Sequence, residues 1–159
     1  MSVVNYSHGH RAAVVDMMAR LQDHEGALHN SRTPGRQMAG DHFDYLLACC
    51  NAQGGCVFVA QHGGEAVGFV VAMLEAEDDA DRHLFEPFKR YGVITDLYVD
   101  PEARGHGVAT SLVARVEGFL RQQEVATVRV SALAANQAAG DFYHDCGYSP
   151  YEITYIKEL

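Results

Sequence analysis

The chain has 159 residues, 48% of them hydrophobic, and a formal net charge of -9, which fits one soluble globular domain spanning 1–159 with a proper core. The acidic balance argues against nucleic acid as a partner and favours the approach of a cationic amine. No apolar run nears the roughly 20 residues that cross a bilayer, and MSVVNYSHGHR lacks a signal peptide's apolar centre, so a cytoplasmic protein with no membrane partner is expected.

Ser2 to Tyr6 reads as a short first strand. From Gly9 to about His29, Ala13, Val14, Met17, Met18 and Leu21 recur at helical spacing, and Gly26, Asn30 and Thr33-Pro34-Gly35 end that helix. A second helix is predicted over Arg36–Ala52 with Met38, Phe43, Leu46, Leu47 and Cys50 inward, stopped by Gln53-Gly54-Gly55. Cys56–Gln61 and Glu65–Glu75 are apolar runs joined by His62-Gly63-Gly64, a hairpin signal. The second run is almost continuously apolar, as expected for a strand covered on both faces. Glu77–Lys89 breaks all periodicity and opens with clustered acids, so an exposed loop with at most one helical turn is expected.

The most informative stretch is Tyr91–Gln122. In YGVITDLYVDP, Val93, Thr95, Leu97 and Val99 alternate with Ile94, Asp96 and Tyr98, a strand pattern that Pro101 stops. Arg104 to Thr110 follows as RGHGVAT, and Val108, Leu112, Val116, Phe119 and Leu120 then mark one apolar face of a helix running to Gln122. Gly105, His106 and Gly107 therefore sit where a helix begins. The first N–H groups of a helix have no partner inside it and the dipole adds positive charge, so this turn is suited to an anion such as phosphate. It is no Walker loop, since no Gly-Lys-Ser/Thr closes it, and no dinucleotide fingerprint, since the third glycine is missing.

Val125–Ala132 alternates as another strand, Asn136 is placed to cap a helix running to about Cys146, and Gly147 supplies its stop. Tyr151–Leu159 alternates as a last strand. The order is β-α-α-β-β-β-α-β-α-β, without repeats or linkers. The hairpins predict antiparallel pairing early, and the crossover helix predicts one parallel pair later. Cys49, Cys50, Cys56 and Cys146 lack metal-ligand spacing and none of the nine histidines forms an H-E-x-x-H pair, so no metal is expected.

The spacing Arg104-x-x-Gly107-x-Ala109 after DLYVDP resembles the acetyl-CoA site of the GNAT family, the GCN5-related N-acetyltransferases. Asn136 followed by DFYHDCGY, from Asp141 to Tyr148, resembles that family's second motif, and the element order matches over the whole chain. The resemblance implies an α/β (α+β) GNAT fold: a mixed, mostly antiparallel sheet, helices on both faces, strands 4 and 5 parallel and splayed. It implies acetyl-CoA as cosubstrate, with the backbone of Leu97, Tyr98 and Val99 pairing with the pantetheine arm. N–H groups from Gly105, His106, Gly107, Val108, Ala109 and Thr110 would cradle the pyrophosphate and Arg104 would add charge. Asn136 and Tyr143 would line the wall near the thioester.

By the same resemblance, Tyr143 is the candidate acid for the departing sulfur and Asp96 the candidate base for the amine. Several family members carry a glutamate one residue earlier, where this chain has Thr95, and many use ordered water. The implied activity is acetyl transfer to a primary amine of a small molecule, polyamine, amino acid, antibiotic or protein. Many members form homodimers, and the last strand would offer an edge. The rival reading is a non-catalytic acyl-CoA sensor, which would need the Arg104–Ala109 turn but not Tyr143.

Overall fold

A computed structural model describes the chain from Met1 to Leu159. Five strands form one sheet in chain order: β1 Ser2–Asn5, β2 Cys56–His62, β3 Glu65–Ala76, β4 Arg90–Val99 and β5 Val128–Val130. The first four are antiparallel neighbours and β5 joins β4 in parallel. The helices are α1 Arg11–Leu28, α2 Gly35–Gln53, the single turn α3 Glu86–Lys89, α4 Val108–Gln122 and α5 Gln137–Asp145. Gly63 and Gly64 both take positive φ, 60° and 91°, the backbone that a two-residue hairpin turn between β2 and β3 demands.

The sheet is covered on both faces. On one, Val14, Met17 and Met18 of α1 and Ala39, Phe43, Leu46 and Cys50 of α2 pack on Val57, Val59, Phe69, Val71, Met73 and Tyr98. On the other, Val108, Leu112, Val113, Val116 and Leu120 of α4 pack on Phe58, Ala60, Val70, Ala72, Leu74, Ile94 and Val99. β3 lies between these layers and all its residues from Gly68 to Leu74 are buried, which explains its unbroken apolar sequence. Each fully buried valine or leucine contributes about 1.5–3 kcal/mol by leaving water.

Gly35, Gly55, Gly68 and Gly92 all stand where a Cβ would overlap a neighbour, and two of them set how the helices lie. A Cβ on Gly92 would overlap the Leu120 side chain, so glycine lets α4 lie down on β4. A Cβ on Gly35 would overlap the Ala19 carbonyl, so the start of α2 rests directly on the backbone of α1. The Gly35 N–H is also held there, donating to Asp23 Oδ1 at 2.7 Å.

Three expectations are corrected. Tyr151–Leu159 forms no strand; its backbone is irregular, and Tyr151, Ile153, Tyr155, Ile156 and Leu159 are exposed. Alternation gives a strand only where a neighbour accepts its hydrogen bonds, and β5 offers an edge of only three residues, Val128–Val130. The edge at this end of the sheet therefore belongs to β5, not to a final strand. β5 is itself shorter than the predicted Val125–Ala132, because it pairs with β4 only at Gly92, Val93 and Ile94. Finally, the alternation in β4 is interrupted. Val71 faces Asp96 but Ala72 faces Ile94, so Thr95 is an extra residue, a β-bulge.

Gly35→Ala should destabilise the fold by about 1–3 kcal/mol through overpacking against rigid backbone. Gly40, inside α2 with open space around it, should gain roughly 0.5–1 kcal/mol as Gly40→Ala. Paired urea unfolding curves of the two variants check the opposite signs.

Candidate functional site

The bulge at Thr95 shapes the site. Before it, Ile94 faces the α4 layer; after it, Leu97 and Val99 face that layer while Tyr98 packs under α1 and α2. Without the extra residue, Ile94 and Asp96 would share a face. With it, Asp96 sits opposite Val71, on the α1–α2 side. β5 pairing also stops at Ile94, so the β4 edge from Thr95 to Val99, which includes Leu97, Tyr98 and Val99, has no strand beside it. The expected splay of the two parallel strands begins at the bulge.

At the end of that open edge the chain turns into α4. The Asp100 N–H donates to the Val67 carbonyl at 2.9 Å, and Arg20 of α1 bonds the Asp100 carboxylate at 2.5 Å. Arg104 donates Nε–H to the Val99 carbonyl at 3.0 Å, and its guanidinium carbon stands 5.9 Å from the Tyr98 ring centre. Arg104 thus braces the turn against the strand. Gly105 and Gly107 both have positive φ, 75° and 74°, with no atom near where a Cβ would stand. His106 folds back, its Nδ1–H donating to the Arg104 carbonyl at 2.8 Å.

None of the N–H groups of Gly105, His106, Gly107, Val108, Ala109 and Thr110 donates to an acceptor in the chain. They lie at the N-terminus of α4, where the dipole adds positive potential. The arrangement can hold a pyrophosphate-sized anion without a side chain.

Across the splay stands α5. Its N-cap is Asn136, whose Oδ1 accepts from the Ala139 N–H at 3.2 Å. This helix carries Tyr143, whose ring packs edge-on against Phe142 and Tyr148 at centroid distances of 5.2 and 5.7 Å. Burial pushes the Tyr143 hydroxyl up to about 12, with the charges of Cys146 and Asp96 acting in the same direction. The hydroxyl stays protonated and has no partner in the chain, so it is free to donate. A groove of about 1210 Å³ beside β5 also has Tyr143 on its wall, together with Phe85, Phe88 and Tyr148, but the Gly105–Thr110 turn does not reach it.

On the other side of β4, the Asp96 side chain is 13% exposed. Burial raises its carboxyl above the ordinary carboxylate value and the charge of Glu25 on α1 adds to this, while a Thr95 hydrogen bond and His42 oppose it. A partly buried carboxylate with no lysine or arginine partner is well suited to accept a proton. His42 of α2 was not singled out in the sequence. Its Nε2 lies 3.9 Å from Asp96 Oδ1 and its ring stacks on Tyr45 at 6.2 Å, tilted 24°. No sequence signal pairs a mid-helix histidine with a strand residue more than fifty positions away.

The fold, the glycine turn and the open edge are the setting in which the comparisons with known proteins fall. The model of the Acetyltransferase (GNAT) family matches residues 22–148, and the chain belongs to that family. It is 30% identical over 108 residues to N-acetyltransferase 8F1 of Mus musculus, covering 68% of this chain and 46% of that protein. With N-acetyltransferase 8B of the same organism the identity is 30% over 105 residues, covering 66% and 42%. The chain therefore spans less than half the length of these curated relatives. Among solved structures, a point mutant of the BH1408 protein from Bacillus halodurans superposes with a TM-score of 0.86 at 16% identity, covering 100% of this chain and 99% of that one. The aminoglycoside N-acetyltransferase AAC(6')-Iy in complex with CoA has a TM-score of 0.77 at 14% identity, covering 99% and 93%. At these identities the likeness is one of fold, and it matches the mixed sheet with parallel, splayed β4 and β5.

Asn136→Ala should cost about 1 kcal/mol by leaving the first turn of α5 uncapped, and Asn136→Asp should keep most of that stability. Thermal unfolding of both variants checks this.

Proposed function

We propose that the chain transfers an acetyl group from acetyl-CoA to a primary amine. The observation that carries this reading is the run of free N–H groups from Gly105 to Thr110, set at the end of the unpaired Thr95–Val99 edge. One surface binds an anion and the other can accept an added strand. CoA presents a pyrophosphate and an amide-bearing arm in that order.

In this reading Leu97 and Val99 pair with the arm through the backbone groups they turn to the open edge, whereas Tyr98, expected to do the same, turns its N–H and carbonyl to β3 and so lines the edge without pairing. Gly105, His106, Gly107, Val108 and Ala109 take the pyrophosphate through N–H groups, and Thr110 adds its hydroxyl. The Val99 carbonyl already accepts from Arg104, so the Val99 N–H is the group left to polarise the thioester carbonyl. Arg104 contributes charge while it holds the turn. Asn136 acts through α5, whose cap it is, and so positions Tyr143.

The amine must reach the thioester neutral. Asp96, on the face opposite Leu97 and Val99, takes its proton directly or through water. Tyr143 donates a hydrogen bond to the departing sulfur. With its hydroxyl near 12, against about 8.5 for a thiol, it surrenders that proton only as another arrives from the acylated nitrogen. The names of the curated relatives and the aminoglycoside-acetylating fold neighbour support an amine acceptor, and the net charge of -9 favours a cationic one.

Gly107→Glu puts a carboxylate into the anion cradle, and calorimetric titration with acetyl-CoA should show binding lost while the thermal transition persists. Unchanged affinity would remove the turn from the CoA site. Tyr143→Phe should lower turnover by about 10- to 100-fold, read as release of CoA thiol, with acetyl-CoA affinity within about twofold of wild type. Equal turnover would remove Tyr143 from the chemistry.

A further inference from the structure

The glycine turn and the open edge carry the cofactor half of the proposed site; the acceptor half lies on the other face of β4, around Asp96. The charges of Glu25 on α1 and His42 on α2 act on Asp96, Thr95 bonds it on its own strand, and its charge is felt by the Tyr143 hydroxyl of α5. Glu25 is already engaged, its Oε2 lying 3.2 Å from Arg32 Nε. Tyr143 stands on α5 and, in the acetyl-transfer reading, gives its proton to the sulfur. His42 is thus the one group on the acceptor side that is free to share a proton with Asp96. At 3.9 Å, Nε2 and Oδ1 are too far apart for a direct hydrogen bond yet within ion-pair range. The gap suits a third group that donates to both atoms. The His42 side chain is 35% exposed and the Tyr45 stacked on it is 62% exposed, so the pair opens to solvent at the helix surface while Asp96 lies deeper.

We propose that His42 and Asp96 together form the proton-accepting pocket for a cationic amine that enters from the α1–α2 side, with His42 taking the proton. This rests on the acetyl-transfer reading and refines its acceptor half: His42, not Asp96, is the final proton acceptor, and Asp96 holds the ammonium and steadies the imidazolium. The ammonium donates one N–H to the Asp96 carboxylate and one to His42 Nε2. Its proton passes to the imidazole, whose new positive charge Asp96 stabilises, and then leaves to solvent. The neutral nitrogen attacks the thioester carbon, the C–N bond forms and the C–S bond breaks. The second nitrogen proton replaces the one that Tyr143 gives to the sulfur, leaving amide, CoA thiol and one proton released. Tyr45, stacked behind His42, offers an aromatic wall to the amine's substituent, and Asp96 supplies the charge that selects a cation.

The test is the pH profile of kcat/KM for wild type, His42→Gln and Asp96→Asn. The probes are acetyl-CoA with a linear polyamine, an aminoglycoside, an amino-acid amide and a lysine-containing peptide, each variant also being titrated with acetyl-CoA alone. His42→Gln should lose about 100-fold near neutral pH with acetyl-CoA affinity unchanged. The loss should shrink to less than about tenfold as the pH approaches about 10, where amines shed their protons unaided. A His42→Gln enzyme with the wild-type rate and profile overturns the proposal, as does a loss of equal size at every pH, which marks a structural role. A wild-type protein that binds acetyl-CoA and acetylates none of these amines overturns the transfer reading and this one with it, whereas wild-type turnover unaffected by His42→Gln overturns this one alone.

Discussion

One extra residue in β4 organises the molecule. Thr95 is matched to nothing in β3, and its hydroxyl reaches back to the Val71 carbonyl at 3.5 Å. A bulge bends its strand and sharpens the twist. Three consequences coincide at that point. β5 leaves β4 after Ile94, the β4 edge from Thr95 to Val99 is left open on the side away from β3, and Asp96 turns to the layer opposite Ile94. The proposed cofactor and acceptor sides thus meet across a single strand, with Leu97 and Val99 on one face and Asp96 on the other.

The second constraint is rigidity in the turn that follows. An anion cradle made of backbone has to be held in shape before the anion arrives, because ordering it at binding would consume the affinity. Here the holding groups lie behind the cradle. Arg20 ties Asp100 to α1, Arg104 ties the turn to Val99, and both guanidinium groups stand over the ring of Tyr98, at 5.4 and 5.9 Å. Gly105 and Gly107 supply the two left-handed backbone positions that a side chain would strain. Gly92 lets α4 press on β4, so the helix that follows the cradle starts close to the sheet.

Local patterning made much of this legible. The helices, the β2–β3 hairpin and the strand–turn–helix around Gly107 each follow from periodicity and turn residues within a short window, and the Asn136 cap is where its sequence position puts it. What escaped depends on distant partners. Ile94, Thr95 and Asp96 read as regular alternation, and only the register against β3 exposes the bulge. The tail from Tyr151 alternates as convincingly as β1, yet finds no edge to pair with. His42 lies on a helix whose pattern announces only its buried face, and only the fold sets its Nε2 3.9 Å from Asp96 Oδ1.

The proposed function turns on whether the bulge-opened edge and the glycine turn form one continuous binding surface for CoA. Amide hydrogen exchange with and without acetyl-CoA tests it directly. Exchange should slow at Leu97–Val99 and Gly105–Thr110 together, with the Val128–Val130 strand unchanged on its groove side. Protection confined to residues lining the groove beside β5, or absent from either of the two segments, would contradict it.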